Sequence, residues 1–165
     1  MSIRVFSPAI LALALPLAAL RGPDPNAVPM QHADSMAVMR GESLKWSPLQ
    51  LPGFKPGLET SVLEGDPGKP GPYTLRLRFP GGYTIPAHFH PTVENVTVLS
   101  GRFFLGMGAR ASGSAMREYA PGDFLSIPAQ MAHFGRVEGV TVVQLHGAGP
   151  FVLKLAEPQA GASGP

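Results

Sequence analysis

The chain contains no cysteine. Disulfides are thereby excluded as a source of stability in an oxidising compartment, and thiolates are excluded as metal ligands. Charge is also scarce, at 15 % of residues. The apolar stretch from Ala9 to Leu20 falls short of the roughly 20 residues a membrane-spanning helix needs, and Pro16 interrupts it. A stable membrane span is not expected. No Gly-rich phosphate loop precedes a helix and no Ser–His–Asp set suggests itself, which argues against nucleotide binding and serine hydrolase chemistry. Long amphipathic helices are missing as well.

Turn-forming residues are abundant instead, with Gly 20 and Pro 19 in 165 residues. Spread between short apolar runs, they indicate many tight turns and an all-β fold. Hydrophobic residues make up 44 % of the chain, and the length suits one domain with a real core.

The N-terminus places Arg4 before the apolar stretch, and small residues Ala18 and Ala19 follow, the arrangement of a secretory signal. We expect a signal peptide over residues 1–20, cut near Ala19 to Leu20, and hence a periplasmic or secreted protein. Residues 1–21 hold Arg4 and Arg21 and no acids, so their removal lowers the 13 basic residues to match the 11 acidic ones. A near-neutral mature chain has no basic patch for nucleic acid or for an anionic membrane. Residues 21–42 read as a flexible linker. Met30, His32, Asp34, Met36 and Met39 within it form either a soft-ligand copper patch or an incidental set in a mobile segment. A domain is expected over 43–156 and a frayed tail over 157–165.

Within that domain Tyr73, Leu75, Leu77 and Phe79 alternate with Thr74, Arg76 and Arg78, the period of a half-buried strand. Further strands are expected over 58–64, 84–90, 95–99, 102–105, 116–119, 124–127, 133–137, 140–146 and 151–155, punctuated by turn residues such as Pro80-Gly81-Gly82 and Pro121-Gly122-Asp123. A loop is expected from Gly106 to Ala115. Ten or so short strands at this spacing suggest a jelly-roll barrel or sandwich.

Three of the five histidines fall in two short blocks. His88 and His90 are two apart, so on a strand both imidazoles leave the same face. Glu94 would lie about 13 Å beyond His90 on a straight strand, at ~3.3 Å per residue. It reaches the same metal only if the chain turns, and Pro91 is suited to begin that turn. Glu94 then starts a returning strand with Val96 and Val98 on its own face. His133, far along the chain, arrives on a separate strand. Three imidazoles and a carboxylate suit one divalent transition metal, Fe, Mn, Ni, Zn or Cu. If open positions remain, water or a small-molecule substrate can take them.

The block from Gly82 through His88, His90 and Glu94 to Gly101, and the block Gly122, Pro128 and His133, resemble the paired signatures of the cupin superfamily. The second block departs at Gln130, where cupins often carry Gly, and at Val137, where they often carry Asn. The resemblance extends over roughly Trp46 to Leu155, to small single-domain bacterial cupins. It implies a double-stranded β-helix barrel with a metal at its open end, often as a homodimer. It does not imply one reaction.

Catalytic candidates beyond the metal set are His146 and Gln144, which share a strand face, and Glu94 itself. His146 reads either as a pocket acid or base or as a structural histidine closing its strand. Tyr83, Phe89, Phe103, Phe134 and Met131 either wall a pocket or belong to the core, Phe89 on the face opposite the two histidines. Arg102 and Arg136 either bind an anionic substrate or decorate an exposed face. The leading expectation is an exported metal-dependent enzyme, dioxygenase- or oxidoreductase-like, acting on a small molecule. A non-catalytic cupin that binds or senses a small ligand or metal is the alternative, and a purely structural barrel is a third.

Overall fold

The computed structural model describes residues 36–111 and 115–156. The expected signal peptide, most of the expected linker with Met30, His32 and Asp34, and the tail lie outside the described residues. Met36 and Met39 are exposed. A 3-10 turn, Gly41–Ser43, precedes nine strands: β1 Ser47–Pro48, β2 Glu59–Glu64, β3 Gly71–Phe79, β4 Thr84–Phe89, β5 Glu94–Met107, β6 Met116–Tyr119, β7 Phe124–Ile127, β8 His133–Gly149 and β9 Lys154–Leu155. Among the described residues no helix is long and apolar enough to cross a membrane.

Two long strands organise the molecule. The first half of β8 pairs with β4, from Thr84↔Arg136 to His88↔His133, and its second half pairs with β3, from Phe79↔Thr141 to Gly71↔Gly149. Strand β5 runs antiparallel to both halves of β8, while β7 adds to the start of β5 and β6 to its end. One layer is thus β1-β2-β3-β8-β5-β7 and the other is β9-β4-β8-β5-β6, with β5 and β8 bent through both. This is the curled all-β barrel that the turn-rich composition predicts.

Each of these long strands was expected as two. The β5–β8 register shifts between Val98 and Ser100 and again between Ser100 and Arg102, so residues 95–99 and 102–105 are joined by a bulged bend rather than a turn. Gly101 sits in this bend at φ +81, and a Cβ there would collide with the fully buried Thr141. The glycine lets β5 pass from one layer to the other without leaving the ladder. The expected strand over 151–155 is reduced to Lys154–Leu155, because the backbone groups before it are used elsewhere. Phe151 N–H donates to Pro67 O at 2.6 Å, and Val152 O accepts a bond from His90.

Alternation decides what faces inward. On β3 Tyr73, Leu75, Leu77 and Phe79 are buried, and they meet Val143 and Leu145 of β8, Val96 and Val98 of β5, and Leu125 and Ile127 of β7. Ile85, Phe103, Leu105 and Val137 supply the opposite layer. Burying each such side chain contributes about 1.5–3 kcal/mol before conformational entropy is counted. Phe79 touches both Tyr83 and Phe103 with ring centroids at 5.5 and 6.5 Å, so it ties the layers together.

Candidate metal centre

The end of the barrel where β4, β5 and β8 meet carries the four residues of the two sequence blocks. His88 lies near the end of β4, directly opposite His133, the first residue of β8. Strand β4 stops at Phe89, the chain bends at Pro91 and Thr92, and Glu94 opens β5 opposite Ile127. That reversal brings Glu94 back: its Oε1 lies 3.5 Å from His90 Nε2 and its Oε2 lies 3.2 Å from His133 Nε2. One ligand atom from each of His88, His90, Glu94 and His133 falls within 4.8 Å of every other. Opposed ligands of one cation, each at ~2.1 Å, stand roughly 4.2 Å apart, so the cluster is near the size one ion requires. All four residues are buried.

The imidazoles are aimed by the backbone. His88 Nδ1–H donates to Pro86 O at 2.8 Å, His90 Nδ1–H to Val152 O at 2.8 Å and His133 Nδ1–H to Met131 O at 3.0 Å. A carbonyl accepts only, so each bond fixes the proton on Nδ1 and turns the Nε2 lone pair inward. His90 Nε2 is fully buried and has no hydrogen-bond partner. An orphaned buried acceptor costs about 1–3 kcal/mol, and a cation at the cluster would relieve it. The donor set fits one divalent ion of the kind the sequence suggested.

The charges of the cluster are set by its neighbours. Burial, reinforced by His133, holds His88 down at about 4, well below the ordinary 6.5. Burial also opposes ionisation of His133, but the bond and charge of Glu94 outweigh it and raise that pKa. Glu94 is likewise held below the ordinary carboxylate value, because the His133 bond and the surrounding imidazoles overcome the cost of burial. Without metal, the cluster thus favours a neutral His88 and an ionised Glu94, and it makes His133 easier to protonate than a free imidazole.

Beneath the cluster lies a small apolar cavity, open to solvent at its mouth. The inner faces of the strands form its walls, Leu77, Phe79, Val96, Leu105, Val143 and Leu145 among them, and Leu51, Phe54, Phe151 and Leu153 close in from segments outside the sheets. Among the lining residues the only polar side chains are His88, Glu94 and His133. Phe54 meets the His88 ring edge-on at 5.5 Å, and Phe151 stacks on His90 at 5.0 Å.

Other expected site residues lie elsewhere. Gln144 and His146 alternate with Val143 and Leu145, so when those two enter the cavity Gln144 and His146 face outward. Gln144 accepts a bond from Arg76 Nε at 3.1 Å, and the exposed His146 stacks with Phe124 at 6.1 Å. Neither His146 nor Gln144 is among the residues lining the cavity, which favours the structural reading of His146 over the pocket one. Of the aromatic and methionine candidates only Phe103 lines the cavity; Tyr83 is core, Phe89 half-buried and Met131 exposed, while Phe134 is buried against Gly106. Arg102 and Arg136 are engaged with Glu118 and Glu138 on the surface rather than waiting for an anion.

Sequence reasoning missed Phe54 as a neighbour of the site and gave Phe151 only a strand role. Neither lies in a periodic segment, and only Pro52-Gly53 before one and Gly149-Pro150 before the other mark where the chain turns over the cavity mouth. In the sequence Tyr73 stands out only as one position of an alternating strand. It is pushed up to about 12, first by burial and then by the Glu94 charge, which places it within electrostatic reach of the cluster.

A barrel of two layers joined by bent long strands, with three histidines and a glutamate gathered at one end, defines a double-stranded β-helix barrel whose end could hold a metal ion. Residues 76–146 match the family model described as "Cupin domain", which supports the cupin superfamily for this barrel. Its fold is similar to that of the polyketide cyclase RemF from Streptomyces resistomycificus, at 19 % identity and a TM-score of 0.62 over 76 % of this chain and 88 % of that one. It is similar also to a cupin 2 conserved barrel domain protein from Rhodopseudomonas palustris, at 16 % identity and a TM-score of 0.55 over 68 % of this chain and 77 % of that one. A structure of DMSP lyases aligns at 15 % identity and a TM-score of 0.54, over 69 % of this chain and 63 % of that one. At these identities the likeness is one of fold. No curated protein matches the chain.

Proposed function

We propose that this chain is an exported, divalent-metal-dependent cupin enzyme of oxygenase or oxidoreductase type, acting on a small molecule in the apolar cavity. The observation that carries the reading is the buried cluster itself, three imidazoles anchored through Nδ1 and one Nε2 left without a partner. A bound divalent transition metal would supply Lewis acidity, or redox chemistry with O₂, at positions the protein leaves open. His88, His90, His133 and Glu94 would hold it. Pro86, Val152 and Met131 carbonyls keep the rings oriented, and the apolar wall excludes water from the reacting end. Glu94 is the one carboxylate lining the cavity and so the candidate to hold a proton there. Export rests on the N-terminal pattern of Arg4 and the apolar stretch to Leu20.

A second reading, a non-catalytic cupin that binds or senses a small ligand, draws on the lack of any acid or base among the cavity-lining residues apart from the cluster. Cyclase and lyase enzymes among the structural neighbours keep non-redox chemistry at the same site as a variant of the first. The test is to purify the mature chain, determine bound metal by elemental analysis and follow oxygen uptake with a panel of phenols and diketones. Metal-dependent turnover that disappears in Glu94→Gln with metal retained supports the enzyme. Stoichiometric metal and tight ligand binding without turnover supports the second reading, and a metal-free protein that takes up none contradicts both.

A further inference from the structure

We infer that the cavity selects a compact ligand with a single anionic or oxygen-donor head and an uncharged apolar body, and that it rejects molecules carrying a second charge. The inference rests on the metal reading above and narrows it to a substrate class. Its basis is the distribution of polarity inside the barrel. His88, Glu94 and His133 are the only polar side chains lining the cavity, and all sit at one end. The remainder of the wall, Leu77, Phe79, Val96, Leu105, Val143 and Leu145, offers no donor, acceptor or counter-charge.

Charge balance points the same way. A divalent ion beside the one carboxylate of Glu94 leaves a net single positive charge at the head of the cavity. One anionic head neutralises it. A second anion at the far end would be stripped of water against aliphatic and aromatic carbon with nothing to pair, a cost of several kcal/mol or more. The outward-facing Arg76 is bonded to Gln144 and gives no help inside. Size sets the other limit: the enclosed space is small, so only a short chain or a single ring could enter as the body. Phe54 and Phe151, the rings set against His88 and His90, would grip the part of the body next to the head.

Hexanoate and hexanedioate test this, being equal in carbon number and differing in the second carboxylate. The mature protein is loaded with Zn(II), its zinc content is measured, and both acids are titrated by calorimetry. The expected result is one zinc per chain and hexanoate binding at least about 100-fold tighter than hexanedioate. Phe54→Ala should weaken hexanoate about tenfold with zinc content unchanged. Zinc bound while the two acids bind alike, or while neither binds, overturns the inference and leaves the metal site standing. Failure to take up zinc removes the metal reading and this inference with it.

Discussion

Two clusters of four ionisable side chains lie on this barrel, and they are built in opposite ways. Arg102, Glu118, Arg136 and Glu138 sit on the outside with side chains 38–53 % exposed. Arg102 donates from Nε and Nη2 to Glu118 at 2.7 Å each, Arg102 and Arg136 both reach Glu138, and Arg136 lies 3.8 Å over the Phe104 ring. The set is neutral overall, and every member has a partner. His88, His90, Glu94 and His133 are buried, share one acid among three bases, and leave His90 Nε2 without a bond. Wet, matched charges satisfy one another. Dry groups with a donor atom left over imply something still to be bound.

The largest effect should therefore follow from disturbing the inner cluster in the presence of metal. His88→Ala or His133→Ala should lower divalent-metal affinity by at least about 100-fold, since outer-shell partners alone are commonly worth 10–100-fold. Arg102→Ala should leave it unchanged; metal titration of the three variants checks both. Saturating metal, at about 1,000 times its Kd, should add about 4 kcal/mol to the unfolding free energy of the parent chain and little to that of either histidine variant.

The next effect is the pH dependence of the metal-free protein. His88 is held at about 4 against 6.5 for the free side chain, so the folded chain binds fewer protons than the unfolded one between those values. The associated stability, about 3 kcal/mol, is present above pH 6.5 and lost as pH falls toward 4. Glu94, also lowered, adds a loss at still lower pH. His133 acts in the opposite sense, because its raised pKa contributes below 6.5 and fades as pH climbs through the folded value. Urea denaturation across this range should show stability falling on acidification, and His88→Gln should flatten the slope between pH 6.5 and 4.

A smaller effect is expected at the turn that delivers His133. Gln130 stands at φ +64, the one non-glycine with positive φ among the described residues. Its N–H donates to His90 O at 2.8 Å, so the turn also braces a second histidine. Gln130→Gly should relieve the left-handed strain and stabilise the fold by about 1 kcal/mol or less, after the added backbone freedom of glycine is subtracted. Thermal unfolding measures it, and unchanged metal affinity is expected. Least of all, Arg102→Ala should shift the unfolding midpoint only slightly, by an amount that shrinks with added salt.

Much of the site was legible because its chemistry is local. His-x-His on a strand, a proline before the glutamate and a second Gly/Pro/His block each constrain a short stretch of backbone. The strands were legible through alternation, as at Tyr73 to Phe79. Alternation also held the information that His146 and Gln144 point outward, because the neighbouring Val143 and Leu145 are core residues, and this period favours the structural reading of His146. The bends of β5 and β8 were less visible, since a glycine in a bulge and a glycine in a turn look alike in sequence. Gln130 occupies a left-handed position that a glycine would have advertised. Phe54 and Phe151 reach the site from opposite ends of the domain through segments with no period, so only the folded chain brings them together.

Everything proposed for this site requires that the four inner residues close on a single ion. Crystals of the mature protein grown with a divalent transition metal, with anomalous diffraction recorded at that metal's absorption edge, test it most directly. One strong peak is expected about 2.0–2.2 Å from the Nε2 atoms of His88, His90 and His133 and from a Glu94 oxygen. A cluster with no peak, or a peak bound only by surface carboxylates, would contradict it.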